Sequence, residues 1–334
     1  MENYLNRYPS DKESDTESDK ECIQDFSYMG LTILPIKVSN FKHLIILNCS
    51  RNQLTSLPPL NMFDSLEELY CCYNSLTLLP PLNASLHTIY CSYNYLTSLP
   101  LFNDSLKTLH CSNNDLTSLP LLNDSLKELY CSYNKLTFLP PLNPSLHILH
   151  CSNNKITSLP YLRNTSLHTI YCSNNQLTSL PLLNDSLKCI YCSYNQLTSL
   201  PPLNPCLRIL HCFNNQLTFL PPLLNTSLDT LHCTNNPLTY IPNLNTTLRY
   251  LVWYNTPIYG ILHGNGTGIK KWNHFREYYF LSSLKKKFIS WMWKAREEKI
   301  KEQFHYKHLL RFMEENDNDD NVDLEPFLEH FIKK

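Results

Sequence analysis

Apolar and polar residues alternate along this chain in a comb that returns about every 20 residues. From Leu44 to about residue 260 its order is L-x-x-L-x-C-x-x-N-x-L-T-x-L-P-x-L-N-x-S. Copies start at Leu44, Leu66, Leu86, Leu106, Leu126, Leu146, Leu167, Leu187, Leu207, Leu228 and Leu248. These 11 units are mostly 20 residues long, and Leu31-Thr32-Ile33-Leu34-Pro35 is the remnant of an earlier one. The fourth and sixth places of a unit are apolar, as at Leu129 and Cys131, and polar residues alternate with them. That is the period of a strand. The other half of each unit carries one or two prolines in ten residues, too much proline for a helix. It is expected to run extended, partly as polyproline II. Strands of successive units stack in parallel at about 4.8 Å, so 11 of them predict a sheet roughly 50 Å long.

A comb of this kind resembles leucine-rich repeats, and the likeness covers about two-thirds of the chain. The 20-residue period and the L-T-x-L-P-x-L half are similar to the short repeats of bacterial type III effectors. The cysteine- and asparagine-rich texture also resembles leucine-rich repeat proteins of giant amoeba-infecting viruses. The resemblance implies a solenoid with a parallel sheet on its concave face, extended convex segments and a protein partner, a host protein among the candidates. It also brings one enzyme reading, since some effectors carry a ubiquitin-ligase domain with a catalytic cysteine. Here the last cysteine is Cys233, inside the repeats, and about 74 residues follow Gly260. That is too short for such a domain and lacks its nucleophile. No phosphate loop, dinucleotide loop or nucleophile–base pair stands out either. The chain reads as noncatalytic, with no cofactor and no small-molecule substrate.

Two columns point inward. Cys49, Cys71, Cys91, Cys111, Cys131, Cys151, Cys172, Cys192, Cys212 and Cys233 share the sixth place. Metal binding calls for paired cysteines or mixed Cys/His clusters, whereas these lie about 20 residues apart. The single C-x-x-C, Cys189 and Cys192, sends its two thiols to opposite faces. The column therefore reads as core, with free cysteine acting as a small hydrophobe. Asn52, Asn74, Asn94, Asn114, Asn134, Asn154, Asn175, Asn195, Asn215 and Asn236 share the ninth place. An amide both donates and accepts, so this column can satisfy the turns that the sheet leaves unpaired.

The outward places are where function is free to vary. The fifth runs Tyr70, Tyr90, His110, Tyr130, His150, Tyr171, Tyr191, His211 and His232. The second holds Glu67, His87, Lys107, Lys127, His147, His168, Lys188 and Arg208, and the eighth alternates Tyr with Asn. Tyr offers rigid amphipathic contact area, and solenoids present such faces for binding. The alternative is that cross-strand Tyr and His only cover a sheet. The candidate partner site comprises Tyr90, His110, Tyr130, His150, Tyr171, Tyr191, Lys107, Lys127 and Lys188. A metal shared by His211 and His232 is not expected. The competing function is a structural spacer or virion component. A nucleic-acid surface of basic and aromatic residues is disfavoured, because residues 41–260 carry 10 basic and 9 acidic groups.

Charge alters the picture only at the ends. Residues 1–25 hold 8 acidic and 3 basic residues and read as a disordered tail. Glycines 260, 264, 266 and 268 mark a hinge over 261–268. Residues 269–334 read as a helical cap, with Trp272, Phe275 and Tyr279 at helical spacing. Its basic stretch, 270–311, carries 12 basic and 4 acidic residues, so an anionic membrane surface is a secondary partner. The polar, acidic N-terminus shows no signal-peptide core, and no apolar run reaches the roughly 20 residues of a membrane span. The expected compartment is the reducing cytoplasm, that of a host if the protein is viral, with a virion as the other location. Asn-x-Ser/Thr triplets such as those at Asn83, Asn103 and Asn123 arise from the repeat and are expected to stay unmodified.

Overall fold

The computed structural model describes residues 22–35, 43–162, 165–223, 226–242, 244–245, 247–257. The chain divides into two units, 1–269 and 270–334, and the second lies outside the described residues, as do the hinge and the expected cap.

Twelve three-residue strands form one parallel sheet in strict sequence order. They are β1 (Ile23–Asp25), β2 (Ile46–Asn48), β3 (Glu68–Tyr70), β4 (Thr88–Tyr90), β5 (Thr108–His110) and β6 (Glu128–Tyr130). The series continues with β7 (Ile148–His150), β8 (Thr169–Tyr171), β9 (Cys189–Tyr191), β10 (Ile209–His211), β11 (Thr230–His232) and β12 (Tyr250–Val252). Pairing is unit to unit with no slip, so equivalent residues sit side by side, as with Tyr130 and His150. Between strands the described backbone is extended or turned, and its one helical element is a 3-10 turn at Leu60–Met62. That turn absorbs the two extra residues of the 22-residue unit that starts at Leu44.

The comb explains the core. The first, fourth and sixth places are fully buried in nearly every unit, from Leu44, Leu47 and Cys49 through Leu228, Leu231 and Cys233. Leucines of the returning half, such as Leu136 and Leu139, close the other wall. All ten sixth-place cysteines are at 0% exposure, and all 14 cysteines of the chain are free thiols. Burial pushes the thiol of Cys131 up to about 12, and Cys111 and Cys151 rise well above the ordinary range for the same reason. Cys189 is half-exposed while Cys192 is buried, so the C-x-x-C pair is split between the two faces as its strand position dictates.

The ninth-place asparagines are what join one turn to the next. Asn134 donates through Nδ2 to the carbonyls of Cys111 (3.0 Å) and Cys131 (3.1 Å), and its Oδ1 accepts from the Leu116 N–H (3.0 Å). The same triad recurs from Asn74 to Asn236. A second asparagine ladder, at the eighteenth place, went unread in the sequence. Asn83 donates to the Phe63 carbonyl of the preceding unit and the Leu66 carbonyl at the start of its own, and Asn184 does the same to Thr165 and Leu167. These are asparagines of the Asn-x-Ser triplets, and their amide nitrogens are committed inside the fold.

The sheet starts earlier than the repeat remnant suggests. β1 falls within the stretch expected as acidic tail, and Asn52 ties it down by donating to the Phe26 carbonyl and accepting from the Leu31 N–H. Its signature was lost because Phe26 stands level with the cysteine place and Leu31 opens the remnant. At the other end Trp253 takes the cysteine place, and the Thr256 hydroxyl donates to its carbonyl in place of the missing amide. Among the described residues no helix is long and apolar enough to cross a membrane.

Candidate functional site

Three of the outward columns of the sheet carry the candidate chemistry. The central one is built by the last residue of each strand. Because the register never slips, successive rings stand one strand spacing apart and stack, with a tilt on both sides of His150. Ring centroids are 4.9 Å apart for Tyr70–Tyr90, 4.1 Å for Tyr90–His110 and 3.9 Å for His110–Tyr130. They continue at 4.4 Å for Tyr130–His150, 4.0 Å for His150–Tyr171 and 4.3 Å for Tyr171–Tyr191. The run ends in an edge-on contact of Tyr191 with His211 at 4.8 Å, beyond which Phe213 stacks on His232 at 4.3 Å. Each ring is half-buried by its neighbours and turns one edge to solvent. Two carboxylates of the face are engaged here, Glu68 with the Tyr70 hydroxyl (2.6 Å) and Glu128 with that of Tyr130 (3.4 Å).

This ladder is electrically neutral. Burial lowers His110 to about 3, with His150 adding to the effect, and lowers His150 to about 4. Burial also depresses His211 and His232, and raises Tyr191 to about 12. The unfolded chain protonates these imidazoles near 6.5. Between that value and about 4 it therefore binds more protons than the folded chain, and stability falls as pH drops through the window. For His110 and His150 together the expected loss is about 2 kcal/mol by pH 4, after discounting for the part of each ring left in water. Urea midpoints at pH 7 and pH 4.5 measure it, and the H110Q/H150Q double variant should show a smaller drop than the parent.

The second column lies just before the strands. Lys107 and Thr108 both donate their N–H to the His87 carbonyl, at 2.8 and 3.1 Å, and the same doubled bond recurs in later units. This kink turns two consecutive residues outward. Backbone bonds run on from His87 through Lys107, Lys127, His147, His168 and Lys188 to Arg208, so these residues stand directly in line. The third column follows the strands and is left-handed throughout. Tyr73, Tyr93, Tyr133 and Tyr194 have φ of 55°, 59°, 56° and 54°, and six other units hold Asn there, as at Asn113 and Asn153. Asn tolerates this region, while for Tyr it costs roughly 1–2 kcal/mol. Yet Tyr133 and Tyr194 leave 50% and 51% of their surface in solvent. At the N-terminal end the Arg51 guanidinium lies between the Tyr28 and Tyr73 rings, 5.0 and 4.5 Å from their centroids.

Every sequence-designated site residue thus lies on one face. Tyr90, His110, Tyr130, His150, Tyr171 and Tyr191 are brought into direct contact, and Lys107, Lys127 and Lys188 line up beside them. Sequence reasoning missed the strain at the eighth place, although its Asn/Tyr alternation was the available signal. His211 and His232 meet edge to face at 5.6 Å, and no metal-ligating group of three forms among the described residues.

The family model for leucine-rich repeats in two copies matches at 104–144, 124–164, 144–185, 165–205 and 185–225. The leucine-rich effector protein YopM from Yersinia pestis is similar to the chain at 36% identity and a TM-score of 0.59. This is a leucine-rich repeat protein. YopM from Yersinia enterocolitica WA-314 is similar at 32% identity and a TM-score of 0.57. Those likenesses cover 65% and 67% of this chain but 63% and 53% of the YopM chains, so it spans less than two-thirds of either. A leucine-rich repeat protein from Bacteroides eggerthii shares the fold alone, at 21% identity and a TM-score of 0.56 over 67% of this chain and 46% of its own. No curated protein matches. The repeats thus resemble those of bacterial effectors, and leucine-rich repeat solenoids as a class present extended faces on which proteins bind.

Proposed function

We propose that the chain is a noncatalytic recognition module that binds a protein partner across the outward face of its sheet, with Tyr90, His110, Tyr130, His150, Tyr171 and Tyr191 at the centre. The observation that carries this reading is the third column. Tyr133 and Tyr194 adopt left-handed backbone that Asn would take more readily, and they place half-exposed rings in solvent. Strain of this sort gathers at binding sites, where it is repaid by a ligand. Exposed Tyr beside a stacked, uncharged ladder gives a broad, rigid surface with little side-chain entropy to lose. A passive spacer has no use for it. Catalysis is a poorer fit, since the ten sixth-place cysteines lie in the core and burial makes the His110 and His150 imidazoles weak bases. The resemblance to an effector protein adds a host protein as the natural partner class and the cytoplasm as the place of work.

The test is affinity capture from a eukaryotic cytosol with three baits: the parent, the Tyr130→Ala/His150→Ala/Tyr171→Ala variant, and the Tyr133→Asn/Tyr194→Asn variant. A protein held by the parent and lost by both variants is the expected result. The asparagine variant should be at least as stable as the parent, which separates lost contact from lost fold. Equal capture by all three baits removes the sheet face as the site.

A further inference from the structure

Although acidic and basic residues nearly cancel over the repeats, the fold sorts them by position. From unit to unit the second-place column reads Glu67, His87, Lys107, Lys127, His147, His168, Lys188, Arg208, Asp229 and Arg249. Its two acids stand at the ends and are engaged, Glu67 with His87 at 3.3 Å and Asp229 with Arg249 at 3.3 Å. Between them lies a run without a carboxylate, five strand spacings or about 24 Å from Lys107 to Arg208. Lys107, Lys127, Lys188 and Arg208 are all exposed, and the ion pairs among the described residues do not involve them.

What flanks this run decides what it can hold. On one side, in the turns ahead of the strands, stand the exposed carboxylates of Asp64, Asp104, Asp124 and Asp185. On the other lies the neutral ring ladder, whose own acids Glu68 and Glu128 are bound to phenol hydroxyls. An anion therefore meets less repulsion when it reaches the ammonium groups from the side of the rings. A phosphate backbone, wide and charged along its whole length, would also meet the aspartate row. An extended peptide would not, because it can send carboxylates toward the lysines while its other side chains lie on the ladder.

We infer that the second column is the charged half of the recognition face, and that it selects a partner segment rich in Asp or Glu lying along the solenoid over the Tyr/His ladder. This inference rests on the sheet-face reading above and adds the partner's chemistry. Lys107, Lys127, Lys188 and Arg208 take the carboxylates, and the rings from Tyr90 to Tyr191 take apolar or aromatic side chains. Charge pairs at a solvated rim act mainly on encounter rate and selectivity, so binding should weaken steeply with salt.

The experiment uses the full chain and defined probes. The first is a random copolymer of glutamate and tyrosine in a 4:1 ratio, and the second is a 20-nucleotide oligothymidine. Binding is read by fluorescence anisotropy at 50 and 300 mM salt. The charge-reversed variant is Lys107→Glu/Lys127→Glu/Lys188→Glu, in which acids stand where Glu67 and Asp229 already stand in other units. The expected result is salt-sensitive binding of the copolymer, with about a tenfold or greater loss in the charge-reversed chain. Tighter binding of oligothymidine than of the copolymer overturns the inference in favour of a nucleic acid. If the charge-reversed chain keeps the copolymer while Tyr130→Ala/His150→Ala/Tyr171→Ala loses it, the sheet-face reading stands and the acidic assignment falls. If both variants bind as the parent does, both fall together.

Discussion

Replacing Asn134 by Ala should lower the unfolding free energy by about 3 kcal/mol, a large loss for one polar side chain. The side chain is 9% exposed and sits between two turns. Its loss leaves the buried Leu116 N–H without its acceptor, and a buried donor left unpaired costs roughly 1–3 kcal/mol. The carbonyls suffer less, since Cys131 still accepts from Asn154 and Cys111 from Asn114. A cavity at the turn adds the remainder. Asp at the same position should be worse than Ala at neutral pH, because it points a carboxylate at two carbonyl oxygens that now accept an amide. Asn52 supplies the internal control. It joins the first two turns, is half-exposed, and should lose less on conversion to Ala. Urea denaturation followed by circular dichroism gives all three values. Equal losses at positions 52 and 134 would show that the ladder does not couple neighbouring turns.

How far this could be read in the sequence depends on how local each cause is. The comb fixes strands and returning segments because its apolar period is set within one unit, and eleven copies leave no second register. The role of Asn134 follows from the amide's capacity to donate and accept, and the structure supplies those bonds. β1 escaped because Phe26 replaces the cysteine and the segment lacks the comb, so only pairing with β2 reveals it. The eighteenth-place asparagines read in the sequence only as Asn-x-Ser/Thr triplets that arise from the repeat, since nothing in a single unit says that Asn83 reaches back to Phe63. The columns of the site were legible as lists. Their stacking was not, because ring contact at 3.9 Å between His110 and Tyr130 is a property of two units in register. The kink that turns Lys107 outward beside Thr108 was equally hidden, as it depends on two N–H groups sharing one carbonyl.

These contributions separate scaffold from site. The recurring leucines, cysteines and ninth-place asparagines are mostly buried, while the second, fifth and eighth places, which vary, are exposed or half-exposed. The eighth place is the informative exception. Its backbone demand is constant and its residue is not, so Asn113 and Tyr133 meet the same φ of 56° with unequal ease. A scaffold alone would favour Asn in every unit. The tyrosines mark where the chain gives up local preference for surface chemistry.

The cysteine column offers the second large effect, and it is kinetic. In the native protein the ten sixth-place thiols should resist a thiol reagent at pH 8, while Cys206 reacts fast and Cys22, Cys72 and Cys189 react more slowly; all 14 should react in denaturant. Two barriers act together. A thiol held near 12 instead of its ordinary value is about a thousandfold less ionised at that pH, and the thiolate is the nucleophile. Burial then requires the solenoid to open before any reagent reaches sulfur. Opening is easiest toward the ends of the described sheet, because β1 and β12 each pair on one side only and the units of Cys49 and Cys233 come next. Cys49 and Cys233 should therefore label before Cys131 and Cys151, and peptide mapping of a timed alkylation series reads the order. The column would cease to be packing if Cys131 were modified as fast as Cys206, or if purified protein carried stoichiometric zinc. A labelling gradient from both ends toward the middle is the outcome expected of free cysteines used as small hydrophobes, locked in by the turns on either side.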